Sequence, residues 1–126
     1  MLLQLLFWIL IYTLILASSQ VLLKLGLIQI GAFSARGIKD IIDLLFSLIM
    51  NPYIVSGTVL MASSYFLWLA ILSWFKLSIA FPMTGLAFIF VAILSYFILG
   101  ERLFYYNYIG ILFVALGIFL LLYRHV

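Results

Sequence analysis

The sequence predicts an all-α integral membrane protein with four transmembrane helices running up-down-up-down and an interfacial amphipathic helix between the first and second. Of its 126 residues, 70% are hydrophobic and 7% are charged, and a water-soluble domain of this size could not bury so much apolar surface. The chain contains four long uncharged segments. Each of them reaches the roughly 20 residues that a spanning helix requires.

The four spanning helices are predicted to form a single domain. Pro52 is a good first residue for the second helix, and Lys76 and Leu77 make a connection so short that the second and third helices must be antiparallel neighbours. The first helix is expected to end near residue 25 or slightly beyond, where Gly26 and Gly31 allow a turn. The domain covers residues 1–126, with the spanning helices at about 2–25, 52–75, 78–99 and 106–123.

Residues 34–50 are predicted to form a helix that lies in the plane of the membrane surface. Apolar residues recur there at helical spacing, while Arg36, Lys39 and two aspartates occupy the other side. This is the pattern of a helix immersed on one face in the lipid headgroup region. It is expected to end at Asn51, because the residue before Pro52 disfavours helix.

The residue inventory argues against an enzyme, a metalloprotein and a nucleic-acid-binding protein. The chain has no cysteine and one histidine, His125, so neither a cysteine metal site nor imidazole catalysis is expected. Its net charge of +3 comes from scattered residues, and nucleic-acid binding needs a clustered basic surface. We therefore expect no catalytic residue, no metal and no cofactor.

Three segments resemble a known family. The chain contains YFLWLAILSWFKLSIAFPM at 65–83, LGERL at 99–103 and GIL at 110–112. These segments resemble the small four-helix, EamA-like members of the drug/metabolite transporter superfamily, over nearly the whole chain. The likeness is closest to the small subunits of the flippase for undecaprenyl-phosphate-linked aminoarabinose, and more distant to the small multidrug resistance transporters.

The resemblance implies a transporter or flippase in a bacterial inner membrane. Its substrate would be polar or lipid-linked, and it would work by alternating access as a homodimer or as a heterodimer with a four-helix paralogue. Its other partners would be membrane lipids. Two different functions remain open, which are export of small solutes or drugs and a non-transporting role as a membrane subunit of a glycosyltransferase system.

The chain departs from the small multidrug resistance pattern at one position. Those proteins carry a glutamate in helix one, eight residues before a lysine, and this carboxylate binds protons and cationic substrates. The matching position here is Leu16, eight residues before Lys24. Because the predicted spanning helices hold no acidic residue at membrane depth, proton-coupled export of cationic drugs is disfavoured.

A polar stripe near the end of helix one is the first candidate for a substrate site. Gln20 and Lys24 lie four residues apart on one helix face, with Ser19 nearby. A polar stripe inside lipid usually faces protein or a water-filled cavity. The alternative is that Lys24 extends its ammonium to the membrane surface.

Glu101 and Arg102 are expected on the same membrane face as Lys24, because helices one and three run in the same direction. An ammonium and a guanidinium suit a phosphate or pyrophosphate headgroup. Five hydroxyl-bearing residues are candidate contacts for a sugar hydroxyl: Ser63, Ser64 and Tyr65 in helix two, and Ser95 and Tyr96 in helix three. Alternatively, Glu101 and Arg102 only terminate a helix beside anionic lipid, and these hydroxyls bond neighbouring helices.

Pro82 and Gly85 are the predicted conformational hinge. A proline inside a helix frees the carbonyl one turn earlier and permits a bend, which alternating access could use. The alternative is a static kink.

Gly110, Ala115 and Gly117 are the predicted dimer interface. The two glycines are seven residues apart and share a face of helix four, and small residues let helices approach closely in lipid. Packing of this face within one chain is the alternative.

Overall fold

The computed structural model describes residues 1–33 and 36–123, and these residues are helical with short connections. Four helical stretches are long and apolar enough to cross a membrane, which confirms the predicted all-α class and fits an integral membrane protein. The third of these stretches is interrupted. The helices are α1 (Leu2–Ile30), α2 (Ile38–Met50), α3 (Pro52–Trp74), α4 (Leu77–Met83), α5 (Leu86–Leu94), which continues into a π-helical segment (Ser95–Leu99), and α6 (Tyr105–Tyr123).

Helix α1 extends to Ile30, beyond the expected end near residue 25. Gly26 does not end the helix, because it serves a packing role instead: a Cβ at this position would lie 2.6 Å from Cγ1 of Ile54 and 2.9 Å from Oδ1 of Asn51. The helix ends at Gly31, whose φ of 85° lies in the left-handed region that favours glycine.

A second glycine makes the contact between α1 and α3 equally close from the other side. A Cβ at Gly57 of α3 would lie 3.0 Å from Cγ of Leu23 and 3.1 Å from the Leu23 backbone nitrogen. Glycines that let backbones approach are the usual basis of helix association in lipid, where no hydrophobic effect drives helices together. Gly26 and Gly57 therefore hold the C-terminal half of α1 against the N-terminal half of α3.

The other half of α1 packs in an apolar core with the end of α3 and with α4. Two aromatic contacts extend this core, since the rings of Tyr12 and Trp68 stack at 5.2 Å between centroids and Trp68 lies 6.3 Å from Phe81. The buried members of the core are Leu5, Ile9, Ile71, Ala80 and Met83.

The third spanning stretch was predicted as one helix over 78–99, and the structure divides it. Pro82 lies near the end of α4, and the backbone N–H groups of Thr84 and Gly85 donate to carbonyls three residues earlier, at 3.0 and 3.1 Å. Pro82 has no N–H, so the carbonyl of Ser78, four residues earlier, receives no helical bond from it. The tighter turn at 84–85, the bend of this stretch, separates α4 from α5.

Helix α2 is shorter than the predicted 34–50. It begins at Ile38, after Arg36 and Gly37, and the remainder of the predicted first turn lies outside the described residues. The backbone N–H of Arg36 donates to Oδ2 of Asp40 at 3.2 Å, ahead of the helix start. No residue of α2 is buried.

We expect Gly57→Val to destabilise the protein, because the Cβ of the added isopropyl group would already lie 3.0 Å from Cγ and 3.1 Å from the backbone nitrogen of Leu23. The cost of such overpacking is about 1–3 kcal/mol in the free energy of unfolding, measurable by denaturation in mixed micelles. Ala62→Val, on an exposed position of the same helix, is the control and should change stability by less than about 0.5 kcal/mol. Equal effects of both variants would contradict the close α1–α3 contact.

Candidate functional site

A cleft with a polar lining opens between the C-terminal half of α1 and the end of the third spanning stretch. Its volume is about 410 Å³. The polar lining consists of Gln20 and Lys24 from α1, Ser95 from the π-helical segment, and Glu101 from the turn that follows. The remaining lining is apolar: Val21, Leu23, Leu27, Val91 and Leu99. The cleft thus brings together one ammonium, one carboxylate, one amide and one hydroxyl.

Gln20 and Lys24 are both exposed in the cleft. The amide nitrogen of Gln20 lies 3.8 Å from the sulfur of Met61 on α3, and a thioether is only a weak acceptor. The amide therefore retains hydrogen-bonding capacity for a ligand.

Lys24 also lines an adjoining apolar groove, which continues along the end of α1. This groove has a volume of about 580 Å³ and is otherwise lined by Leu27, Ile28, Gly31, Ala32 and Phe33. Lys24 thus lines both the cleft and the adjoining groove.

The π-helical segment positions Ser95 and Glu101 at the cleft. The backbone carbonyl of Ser95 accepts hydrogen bonds from the N–H groups of both Gly100 and Glu101, and Gly100 adopts a left-handed φ of 67° to allow this. The hydroxyl of Ser95 donates to the carbonyl of Ala92 at 3.2 Å, so its oxygen remains able to accept. Such π-helical turns are rare and frequently occur at functional sites.

Three residues of the predicted substrate site do not line this cleft. Ser19 is fully buried, and its hydroxyl donates to the carbonyl of Leu16 at 2.6 Å. Tyr65 is exposed on α3, with its ring against Phe66. Arg102 is exposed and follows Glu101 in the chain, but it is not among the residues of the cleft wall.

The predicted hinge residues flank the bend of the third stretch. A Cβ at Gly85 would lie 3.1 Å from the Pro82 carbonyl oxygen and 3.4 Å from Cγ1 of Val114. Gly85 therefore permits close packing of the bend against α6.

Of the predicted dimer residues, Gly110 and Gly117 share one open face of α6, whereas Ala115 lies roughly 150° around the helix from them. Gly110, Ala115 and Gly117 are exposed, and in the described part of the chain no atom comes within 4 Å of a Cβ placed at either glycine. Packing of this face within the chain is therefore not observed.

The described residues contain no group of three or more His, Cys, Asp or Glu side chains that could hold a metal ion. His125, named above as the single histidine, lies outside them. The polar groups of the cleft are an amide, an ammonium, a hydroxyl and a carboxylate, all of which can bind a polar ligand.

A comparison with protein-family models, with curated proteins and with solved structures finds no match for this chain. The class that its helices fit is that of integral membrane proteins, since four of them are long and apolar enough to span a bilayer. The cleft and its residues are the evidence from which a function is inferred.

The sequence indicated some residues of the cleft but not the backbone segment that positions the others. The spacing of Gln20 and Lys24 indicated a shared helix face, and Glu101 was expected at the same end of the molecule. The π-helical segment had no such signal, because apolar residues fill it around Ser95. Its extra residue per turn depends on contacts with the rest of the bundle.

We expect a cysteine at position 20 to contact water. In the otherwise cysteine-free chain, Gln20→Cys should react with a membrane-impermeant maleimide more than about tenfold faster than Leu14→Cys, because only a hydrated thiol forms thiolate. Leu14 is exposed on the same helix outside the cleft. Equal reactivity at both positions, with the reagent supplied to both membrane sides, would show that Gln20 faces hydrocarbon.

Proposed function

We propose that this protein is a transporter or flippase that moves a polar or lipid-linked substrate, of the polyprenyl-phosphate sugar type, by alternating access. The observation that carries the proposal is the cleft of Gln20, Lys24, Ser95 and Glu101. Polar and ionisable groups that face a cavity between membrane helices typically mark a substrate pathway.

The arrangement of the cleft suits an amphiphilic substrate. The Lys24 ammonium is a partner for a phosphate, and the Gln20 amide and the Ser95 and Glu101 oxygens can replace water around sugar hydroxyls. The apolar groove that shares Lys24 offers a surface for the adjoining lipid chain. With its headgroup in the cleft and its lipid chain in the groove, the substrate would have the junction between the two next to the Lys24 ammonium.

The bend at 84–85 supports a mechanism in which one end of the third stretch moves. Its first part, α4, contributes Ala80 and Met83 to the apolar core, whereas its second part carries the cleft residue Ser95. A change of angle at Pro82 and Gly85 would move the cleft wall and leave the core in place.

The proposal includes an up-down-up-down arrangement and a surface position for α2. The C-terminal end of α1 meets the N-terminal end of α3 where Gly26 contacts Ile54. The N-terminal end of α1 meets the C-terminal end of α3 where Trp8 contacts Trp74. These contacts support an antiparallel pair, as the arrangement requires. Helix α2 has charged residues on one side and no buried residue, as expected of a helix partly immersed in headgroups.

A dimer forms the remaining part of the proposal. Transport sites usually form between two structural repeats, and one chain of this size supplies one repeat. The open glycine face of α6 is the surface we assign to contact with a second copy or with a four-helix paralogue. The resemblance of residues 65–83 to EamA-like proteins of bacterial inner membranes supports the same assembly.

We expect Lys24→Ala to slow translocation about 10- to 100-fold, the range that corresponds to a lost hydrogen bond with a charged group. Purified protein in liposomes would be given a radiolabelled polyprenyl-phosphate sugar, and an impermeant periodate would report the fraction in the outer leaflet. Lys39→Ala removes a charge outside the cleft and should leave the rate within about twofold.

Two outcomes would contradict this proposal. Unchanged translocation by Lys24→Ala and Gln20→Ala would remove the headgroup site. Failure of the unaltered protein to move the lipid, alone or with a co-purifying four-helix partner, would remove the flippase function. Uptake of soluble amphiphiles would then indicate a solute exporter, and co-purification of a glycosyltransferase would indicate the subunit role.

We expect Gly117→Leu to reduce dimer formation, because a large side chain would separate the two α6 backbones. Native mass spectrometry from membranes should show a dimer fraction that falls at least about fivefold, or about 1 kcal/mol. Ala62→Leu, on an exposed position of α3, is the matched control. Unchanged dimerisation by Gly117→Leu would exclude this face of α6 as the interface.

A further inference from the structure

A second cleft lies at the opposite end of α1, and we propose that it binds an anionic lipid through Lys76. Its volume is about 360 Å³, which is the size of a small ligand site. Its wall consists of Lys76 and six other residues, which are Met1, Leu2, Leu5, Trp74, Phe75 and Ile79. This inference concerns lipid recognition at a separate surface and does not depend on transport.

The position of Lys76 in the chain places its charge at a membrane surface. Phe75 and Lys76 connect two helical stretches, Pro52–Trp74 and Leu77–Leu99, which are each long and apolar enough to span a membrane. A two-residue connection between two spans lies where the chain re-enters the bilayer. Lys76 is exposed there, at the depth of lipid phosphates.

The aromatic residues of the cleft mark the same depth. The Trp74 side chain is 55% exposed, and its ring lies 5.5 Å from that of Trp8. Indole rings concentrate at the headgroup level, because one edge is polar and the body is apolar. A neighbouring cleft shares Trp74 and adds the amide of Gln4, a donor suited to a lipid ester oxygen.

The apolar wall is suited to the first part of an acyl chain. Leu5 is only 3% exposed and belongs to the apolar core, so the cleft has a rigid hydrophobic base. A soluble anion would gain nothing from this surface. A lipid places its phosphate at Lys76 and its chain along Leu5 and Ile79, which satisfies both parts of the site.

The charge of the lining favours an anionic over a zwitterionic headgroup. Neither this cleft nor the neighbouring one has an aspartate or glutamate in its wall, so the cationic group of a zwitterionic lipid would gain no ion pair there and would lie near the Lys76 ammonium. A headgroup with net negative charge can pair with that ammonium and meets no side-chain carboxylate. The cleft around Lys24 differs, because Glu101 contributes a carboxylate there.

The site can be tested by quenching of tryptophan fluorescence. Trp68→Phe leaves Trp8 and Trp74 as the emitters, both in contact with these clefts. The protein would be placed in phosphatidylcholine vesicles that contain a minor fraction of dibrominated phosphatidylglycerol or dibrominated phosphatidylcholine. From the quenching curves we expect about fivefold preference for the anionic lipid.

Lys76→Ala should reduce this preference to near one, and Lys76→Arg should restore it. Lys39→Ala removes the same charge on α2 and should keep the preference. Circular dichroism would verify that each variant remains helical. Equal quenching by the two lipids, or a preference that survives in Lys76→Ala, would overturn the proposal. Loss of the preference in millimolar inorganic phosphate at constant ionic strength would assign the site to free phosphate and overturn it as well.

Discussion

Helix α1 is the element on which the packing of this protein depends, because it contacts α2, α3, α4, α5 and the π-helical segment. Its closest contact is with α3, where Gly26 and Gly57 each lie against the opposite helix. In lipid, apolar surface alone does not hold two helices together, and close packing of backbones takes its place. The two clefts lie near the two ends of α1, which contributes lining residues to both.

Most serine and threonine side chains of the helices donate a hydrogen bond to their own backbone. Thr13, Ser19, Ser64 and Thr84 donate to carbonyls three or four residues earlier, which satisfies them in an apolar environment. Within the described residues, no buried side-chain nitrogen or oxygen lacks a partner. The cleft is different, because the polar groups of Lys24 and Glu101 are exposed and the Gln20 amide contacts only a sulfur.

The two ends of α1 offer different chemistry. The end near residue 24 combines an ammonium with a carboxylate, an amide and a hydroxyl, whereas the end near residue 4 combines one ammonium with indole rings and an apolar wall. The first set suits a hydrated headgroup with many hydrogen bonds. The second suits a phosphate at the boundary with hydrocarbon.

The sequence alone determined the class of the fold and half of the candidate site. Long apolar runs require helices in lipid, where each backbone group must be bonded within its own segment, and the four-residue spacing of Gln20 and Lys24 placed both on one face. It did not separate Ser19, which is buried, from Gln20 beside it, because adjacent residues of a helix point about 100° apart and packing decides which one faces a neighbour.

Only the tertiary structure determined the length of α1 and the π-helical segment. Gly26 reads locally as a possible helix end, but contact with Ile54 makes it part of the interior of α1. Likewise, the Glu101 N–H donates to the Ser95 carbonyl, a hydrogen-bond spacing wider than that of an α-helix. The pattern of apolar residues does not specify this spacing. These features depend on which helices come into close contact. Packing between segments that are distant in the chain determines those contacts.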